Sequence, residues 1–207
     1  PTKTIDQEYL SQLNEPSFYE QFYGNNKILM VKSDTGTGKS SNFIGLIKSK
    51  NLKFISIGCR ISLCQSQHET FKDSQIDVEY YKDHPHGYFY PGLLQNWIIQ
   101  ADSLHKIIDI KNIPSSYVLL LDEIHFLINY IINTSTMQNH RIDNYLFLME
   151  LIKRCHFVIA IDADISDTTV QFMKEIHYQE TEKKKNIIYV KNKYLKNKNK
   201  RCKKKQK

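Results

Sequence analysis

No apolar run in this 207-residue chain is long enough to cross a bilayer. No basic stretch followed by an apolar core and a small-residue cleavage site stands at its start. The sequence therefore predicts no helical membrane span and no export. Cysteine is sparse: Cys59, Cys64, Cys155 and Cys202 fall at no metal-ligand spacing and read as reduced thiols. There is no internal repeat, and the length suits one domain or one domain plus a tail. The first residue is Pro1 rather than Met, as in a processed chain or a fragment. Acidic residues are missing from one region altogether. From Lys183 to Lys207 there are 13 Lys/Arg and no Asp or Glu, leaving 16 basic against 22 acidic groups in residues 1–182, a net of −6. The overall +7 thus belongs to the C-terminal end. Residues 192–207, almost pure Lys/Asn/Arg/Gln beyond Leu195, cannot bury apolar surface and are predicted to be a disordered basic tail. Such a tail suits plain solvation, phosphate-backbone binding or nuclear targeting, and alone does not choose among them. The wealth of Lys, Asn, Ile and Tyr fits an A/T-rich genome and says little about chemistry.

What is present begins with Ser33-Asp34-Thr35-Gly36-Thr37-Gly38-Lys39-Ser40, directly after the apolar run Ile28–Val31. A buried strand, a Gly-containing turn and a Lys-Ser step form a triphosphate cradle. Gly36 and Gly38 let successive N–H groups turn inward, Lys39 supplies a mobile charge for the β/γ-phosphates, and the Ser40 hydroxyl suits Mg²⁺. A helix starting near Lys39 adds the positive end of its dipole. Ser33 stands where the pattern has its first glycine.

Apolar runs alternate with helical patterns. Predicted strands are 28–32, 52–57, 78–81, 96–100, 117–121, 157–161 and 187–190; predicted helices are 39–50, 62–73, 123–133, 141–154 and 168–177. This alternation predicts an α/β fold with a mostly parallel sheet covered on both faces. Residues 82–95, with His84-Pro85-His86-Gly87 and Pro91-Gly92, read as a loop; His-x-His without a further ligand nearby reads as loop surface rather than metal site. Thr134–His140 is a second polar connection. Residues 1–26 read as a lead-in with a short helix, within which Gln12 and Gln21 are candidates to reach an adenine.

A second motif lies at Tyr117-Val-Leu-Leu-Leu-Asp122-Glu123-Ile-His125. A buried strand ending in two carboxylates sets them at the carboxyl edge of the sheet, where ligands bind in open α/β folds. Asp122 suits Mg²⁺ held through water opposite Ser40, and Glu123 suits polarising the water that attacks a γ-phosphate. An acidic helix start would also favour these residues, but their place about 80 residues after the first motif in one sheet predicts ATP hydrolysis.

Asp122-Glu123-x-His125 resembles the second motif of superfamily 2 DExH helicases. Further segments agree: Phe54–Leu63 resembles the strand-then-Arg element, Gln100-Ala-Asp-Ser103-Leu-His105 the "Gln-x-x-Ser-Leu-His" element, and Val158–Asp167 stands in the place of the Ser-Ala-Thr motif with Asp162-Ala163-Asp164 instead. In that order, over roughly residues 27–192, the set resembles the N-terminal motor domain of the herpesvirus-type replication-origin-binding helicases. The resemblance implies a RecA-like P-loop domain over 27–191, ATP and Mg²⁺ as cofactors, and Glu123 and Lys39 as catalytic residues. It implies coupling through His125, Asp162 and Asp164, and nucleic-acid contacts at Arg60, Gln100 and Ser103. Arg60 equally suits a surface ion pair, Ser103 a helix cap, and Asp162/Asp164 a strand-end turn. The implied partners are single-stranded DNA or RNA and a second motor domain in cis or trans, with no membrane. The implied location is intracellular, in the nucleus or at a viral or plasmid replication site. Such motors need two domains, so this chain alone is expected to hydrolyse ATP poorly. The alternatives are a non-catalytic nucleotide and nucleic-acid binding module, and an RNA helicase or DNA translocase on the same fold.

Overall fold

The computed structural model describes residues 2–10, 18–24, 27–84, 88–91, 95–135, 137, 139–178 and 186–194. Among these residues eight strands run in the order β1 (Thr2–Ile5), β2 (Lys27–Lys32), β3 (Phe54–Gly58), β4 (Glu79–Tyr80), β5 (Trp97–Gln100), β6 (Val118–Asp122), β7 (Phe157–Asp162) and β8 (Asn186–Asn192). Five α-helices separate them: α1 (Lys39–Lys50), α2 (Ile61–Asp73), α3 (Ile124–Asn133), α4 (Arg141–Arg154) and α5 (Asp167–Tyr178). The sheet order is β1-β8-β2-β7-β6-β3-β5-β4, and every pairing is parallel. Parallel neighbours demand crossovers, and the helices supply them while covering both faces. The central strands accordingly read as continuous apolar runs: all of β3 and β5 is buried, as are the first four residues of β6.

The predicted α1 and α4 match their observed bounds, and the other predicted helices and strands shift by one or two residues. Two differences have physical causes. The lead-in carries an unexpected strand, β1, because Thr-Lys-Thr-Ile has almost no apolar signal; as an edge strand it buries only Ile5. The strand expected over 78–81 shortens to Glu79–Tyr80, since Tyr81 turns into a 3₁₀ segment and its hydroxyl donates to Gln100 Oε1 at 2.6 Å. The short helix expected in the lead-in is a 3₁₀ turn at Phe18–Phe22, with Phe18 and Tyr19 fully buried. Gln12, most of His84–Gly87, and the tail beyond Tyr194 lie outside the described residues.

One cluster sets the position of the helices around the site. Phe43 of α1, Phe54 of β3 and Phe71 of α2 pack edge-on and tilted, with centroids 4.8–5.9 Å apart. Aromatic pairs of this kind add roughly 0.5–1.5 kcal/mol each beyond their burial. They pack α1 and α2 on β3, and because β2 and β3 run parallel both helices start at the carboxyl edge of the sheet.

Candidate nucleotide site at the carboxyl edge of the sheet

Four loops meet where β2, β7, β6 and β3 end. The loop after β2 is built as its sequence predicts. Gly36 and Gly38 have φ of 73° and 79°, in the left-handed region where a side chain is strained. Ser33 has no such φ, so the departure from glycine there costs no backbone strain. Its hydroxyl is instead a brace, 2.8 Å from Thr37 Oγ1 and receiving Asn192 Nδ2 at 3.1 Å. Its N–H donates to Asp162 O at 2.9 Å. The α1 N-terminus has no side-chain cap and no acidic residue in its first turn, which leaves its free N–H groups and dipole for an anion. Lys39 Nζ folds back on the loop carbonyls, donating to Ser33 O at 2.7 Å and Asp34 O at 3.2 Å. Burial lowers its pKa, and Asp122, Asp162, Asp34 and Glu123 work against that fall. Thr35 is exposed at the tip of the turn, and its N–H is taken by Asp34 Oδ1 at 2.8 Å.

At the end of β6, Asp122 is held at both oxygens: Gln67 Nε2 donates to Oδ2 at 2.8 Å and the Glu123 N–H to Oδ1 at 3.0 Å. Burial raises its pKa, and the Gln67 bond, that N–H and Lys39 oppose the rise. Gln67, on α2, is itself fixed by the Ser56 hydroxyl, which donates to Oε1 at 2.8 Å. Ser40 and Asp122 border a common small cavity of about 80 Å³ beside Gln67. Glu123 adopts φ 51°, ψ 50°, a left-handed conformation costing a non-glycine residue roughly 1–2 kcal/mol. Helix α3 therefore starts one residue later than expected, at Ile124, with Glu123 as its cap. Non-glycine strain of this kind concentrates at working sites. Cys59 Sγ donates to Glu123 Oε2 at 3.6 Å, and Arg60 Nε lies 4.0 Å from the same oxygen. Burial and then the Glu123 charge push the Cys59 thiol up to about 12, so it stays a proton donor.

His125 joins three elements. Its N–H donates to Asp162 Oδ2 at 2.9 Å, and its Nδ1 lies 2.8 Å from the Thr169 hydroxyl at the start of α5. Asp162 also accepts the Asp164 N–H at 2.9 Å, the strand-end turn the sequence allowed, while its other oxygen serves His125. The loop holding both is tied down by Lys32 Nζ, which donates to Ile165 O at 3.0 Å.

These side chains line one cleft of about 400 Å³, shared by Gly36 and Lys39 from the loop after β2, Asp162 and Asp164 after β7, and Asp122 and Glu123 after β6. Arg60 also faces it. Gln100 and Ser103 do not. They are 8% and 6% exposed, and the Gln100 amide is committed to Tyr81 and to Asp102 Oδ2 at 3.3 Å. Gln21 is exposed on the 3₁₀ turn of the lead-in. Sequence reasoning missed Gln67, Cys59, Thr169 and Asn192, because only the fold brings them to the motifs.

Residues 9–203 match the family described as origin of replication binding protein. The chain belongs to that family. It is 25% identical over 155 residues to the replication origin-binding protein of Psittacid herpesvirus 1, covering 72% of this chain and 17% of that protein. It is 28% identical over 190 residues to an uncharacterized putative helicase, R8, of Acanthamoeba polyphaga mimivirus, covering 86% and 17%. The chain thus spans about a sixth of the length of the relatives it matches. In fold it is similar to a DEAD box protein from Methanococcus jannaschii, at TM-score 0.52 and 13% identity, over 84% of this chain and 47% of that one. It is also similar to the SWI2/SNF2 ATPase core of Sulfolobus solfataricus in complex with dsDNA, at 0.52 and 13%, over 77% and 32%. The chain thus shares the RecA-like α/β architecture of these two proteins.

Proposed function

We propose that the chain is the ATP-binding motor domain of a DNA helicase acting in replication, with residues 27–191 as its working body. The observation that carries this reading is the convergence on one cleft of an uncapped helix start with its two left-handed glycines, Lys39, and the Asp122-Glu123 pair. Residues 33–40 would cradle the phosphates, with Lys39 leaving the Ser33 and Asp34 carbonyls for phosphate oxygens. Ser40 and Asp122 fit a Mg²⁺ ion, which needs few protein ligands when phosphates supply the rest. An ion held by these two residues would supply neutralisation of charge on the phosphates. Glu123 would hold and polarise the attacking water. His125, Asp162 and Asp164 would carry the state of the cleft to α5 and the adjoining loop. Arg60, half-exposed at the cleft mouth, is the candidate for single-stranded nucleic acid. Gln100 and Ser103, being buried, would act by shaping the loop after β5 rather than by touching a strand. The reading extends to a second motor domain that completes the cleft, and to work at a viral replication site.

The test is ATP turnover of the purified chain with and without single-stranded DNA, beside Glu123→Gln. Glu123-dependent turnover stimulated by DNA supports a motor. ATP binding without turnover supports half a motor awaiting its second domain. Absence of ATP binding overturns the reading.

A further inference from the structure

The Glu123 carboxylate is contacted by two side chains from outside the phosphate motifs, Cys59 and Arg60. Its backbone is fixed in the left-handed region as the cap of α3, so the carboxylate can change place only by side-chain rotation. One oxygen, Oε2, is approached from the end of β3 by both Cys59 Sγ and Arg60 Nε. The Arg60 guanidinium is placed by Phe126, lying 4.3 Å above the ring centroid. Phe126 is on α3, three residues after Glu123, and stacks in turn towards Tyr130 at 6.1 Å. The Arg60 and Glu123 side chains are 55% and 40% exposed. A pair this open, at 4.0 Å and without hydrogen-bond contact, is worth little. It is therefore easily exchanged. A phosphate offers a guanidinium two parallel charge-assisted hydrogen bonds, a stronger partner than Glu123 has in this geometry.

We propose that Arg60 is a positioning residue for Glu123, a latch that a phosphate oxygen releases. Arg60 and Cys59 weakly favour a carboxylate position on the β3 side of the cleft. When a phosphate takes the guanidinium, Glu123 keeps only the weak thiol bond and is free to turn towards the site of the attacking water. The phosphate has two possible sources with the same chemistry: the backbone of a nucleic acid reaching the cleft mouth, or the terminal phosphate of ATP inside it. The proposal rests on the reading of Glu123 as the water-polarising residue. It adds that ligand binding and the Glu123 charge are thermodynamically coupled through Arg60, and reciprocity allows that coupling to be measured without turnover.

The experiment is a double-mutant cycle on binding by the full chain at about 150 mM salt, where charges beyond about 8 Å are screened. Wild type, Glu123→Gln, Arg60→Ala and the double variant are titrated with a fluorescent single-stranded oligonucleotide. They are titrated separately with Mg²⁺·ADP and with a non-hydrolysable ATP analogue. Removing the competing carboxylate should tighten binding of the true ligand about two- to fivefold when Arg60 is present, the scale of an exposed pair, and not in the Arg60→Ala background. Arg60→Lys, which keeps the charge but loses the planar stack on Phe126, should give a smaller coupling than the native arginine. Coupling in the oligonucleotide arm alone identifies a nucleic-acid phosphate. Coupling with the ATP analogue but not ADP identifies the terminal phosphate. Equal tightening with and without the Arg60→Ala substitution, or none in either arm, overturns the latch while leaving the motor reading intact. Failure of wild type to bind either ligand overturns both.

Discussion

Asn192, the last residue of β8, donates its side-chain amide to the hydroxyl of Ser33 at 3.1 Å, joining two positions 159 residues apart. The same amide donates to Gln7 O at 2.8 Å, and its Oδ1 accepts the N–H groups of Gln7 and Tyr194 at 3.1 and 3.2 Å. One buried side chain, 6% exposed, thus clasps the lead-in, the end of the sheet and the loop expected to hold phosphates. The lead-in reinforces the clasp where the Leu10 N–H donates to Thr37 O at 3.0 Å. Asn192→Ala would strand several buried polar groups at once, at about 2–3 kcal/mol, so the melting temperature should fall by roughly 4–10 °C. Ser33→Gly removes only the brace and should cost about 1 kcal/mol. Thermal melts of the two variants check the order.

That clasp marks the boundary of what the sequence makes legible. The phosphate loop, the Asp122-Glu123 edge and the parallel α/β sheet were readable because each rests on local patterns: glycines before Lys-Ser, carboxylates ending an apolar run, short apolar strands between helical periods. Asn192 and Gln67 were not readable. A lone Asn before a Lys-rich tail and a Gln in an amphipathic helix carry no local signal, and their roles exist only because β8 lies beside β2 and α2 lies against β6. Gln100 was assigned to nucleic acid through its motif, yet in the fold the Tyr81 hydroxyl reaches it from a turn 19 residues away. The strained φ of Glu123 was equally out of reach, since sequence pattern favours an acidic helix start whether or not the residue is left-handed.

Lys39→Ala tests the cradle. Lys39 donates to the loop carbonyls of Ser33 and Asp34, and its replacement should cost little stability. Toward a triphosphate it would supply a charge-assisted contact of roughly 1.5–3 kcal/mol, so ATP affinity should fall about 10- to 100-fold. Calorimetric titration reads this directly, and unchanged affinity would remove the cleft from consideration as a nucleotide site.

Gln67→Leu tests the support of Asp122. The substitution keeps the bulk in a buried position but removes the 2.8 Å donor to Oδ2 and leaves the Ser56 hydroxyl without its acceptor. A misaligned Asp122 should weaken Mg²⁺-dependent nucleotide binding by about five- to tenfold, the effect expected of a lost supporting contact of around 1 kcal/mol. Binding of metal-free ATP, which depends on residues 33–40, should stay near wild type. A parallel loss in both would indicate a general loosening of α2 instead.

His105 gives a pH dependence. Its ring stacks on His140 with centroids 3.8 Å apart and planes within 4°, and its Nδ1 lies 3.0 Å from Asn144 Oδ1. Burial lowers its pKa below the usual 6.5, the Asn144 bond opposes this, and the neighbouring His140 and Lys106 charges add to it. A histidine whose native pKa is lowered favours the native state in its neutral form. Its contribution is full above pH 6.5 and is lost as pH falls from there towards the lowered native value. Partial exposure keeps the effect small, about 1–2 °C in melting temperature between pH 7.5 and 5.5. His105→Asn, which can keep the bond to Asn144 without titrating, should lessen that acid-side decline, and melts at the two pH values compare them.

The basic tail is best judged by salt. Since β8 continues to Asn192 and Tyr194 still bonds its Oδ1, a truncation meant to remove only the tail must begin after Tyr194; one starting at residue 192 would break the Ser33 clasp and confuse two effects. Residues 195–207 carry eight lysines and arginines and no acid. If they follow a single-stranded backbone, each neutralised phosphate contributes about 0.7 to the slope of log affinity against log salt, so their removal should flatten that slope by at most about 5 to 6. Affinity at low salt should fall steeply while affinity near 0.5 M changes little, because the released counterions then add almost nothing. The body, at net −6 over residues 1–182, offers no comparable field of its own. Oligonucleotide titrations at four or more salt concentrations, with and without residues 195–207, give both slopes. An unchanged slope would make the tail a solvated appendage and leave nucleic-acid binding to the cleft mouth around Arg60.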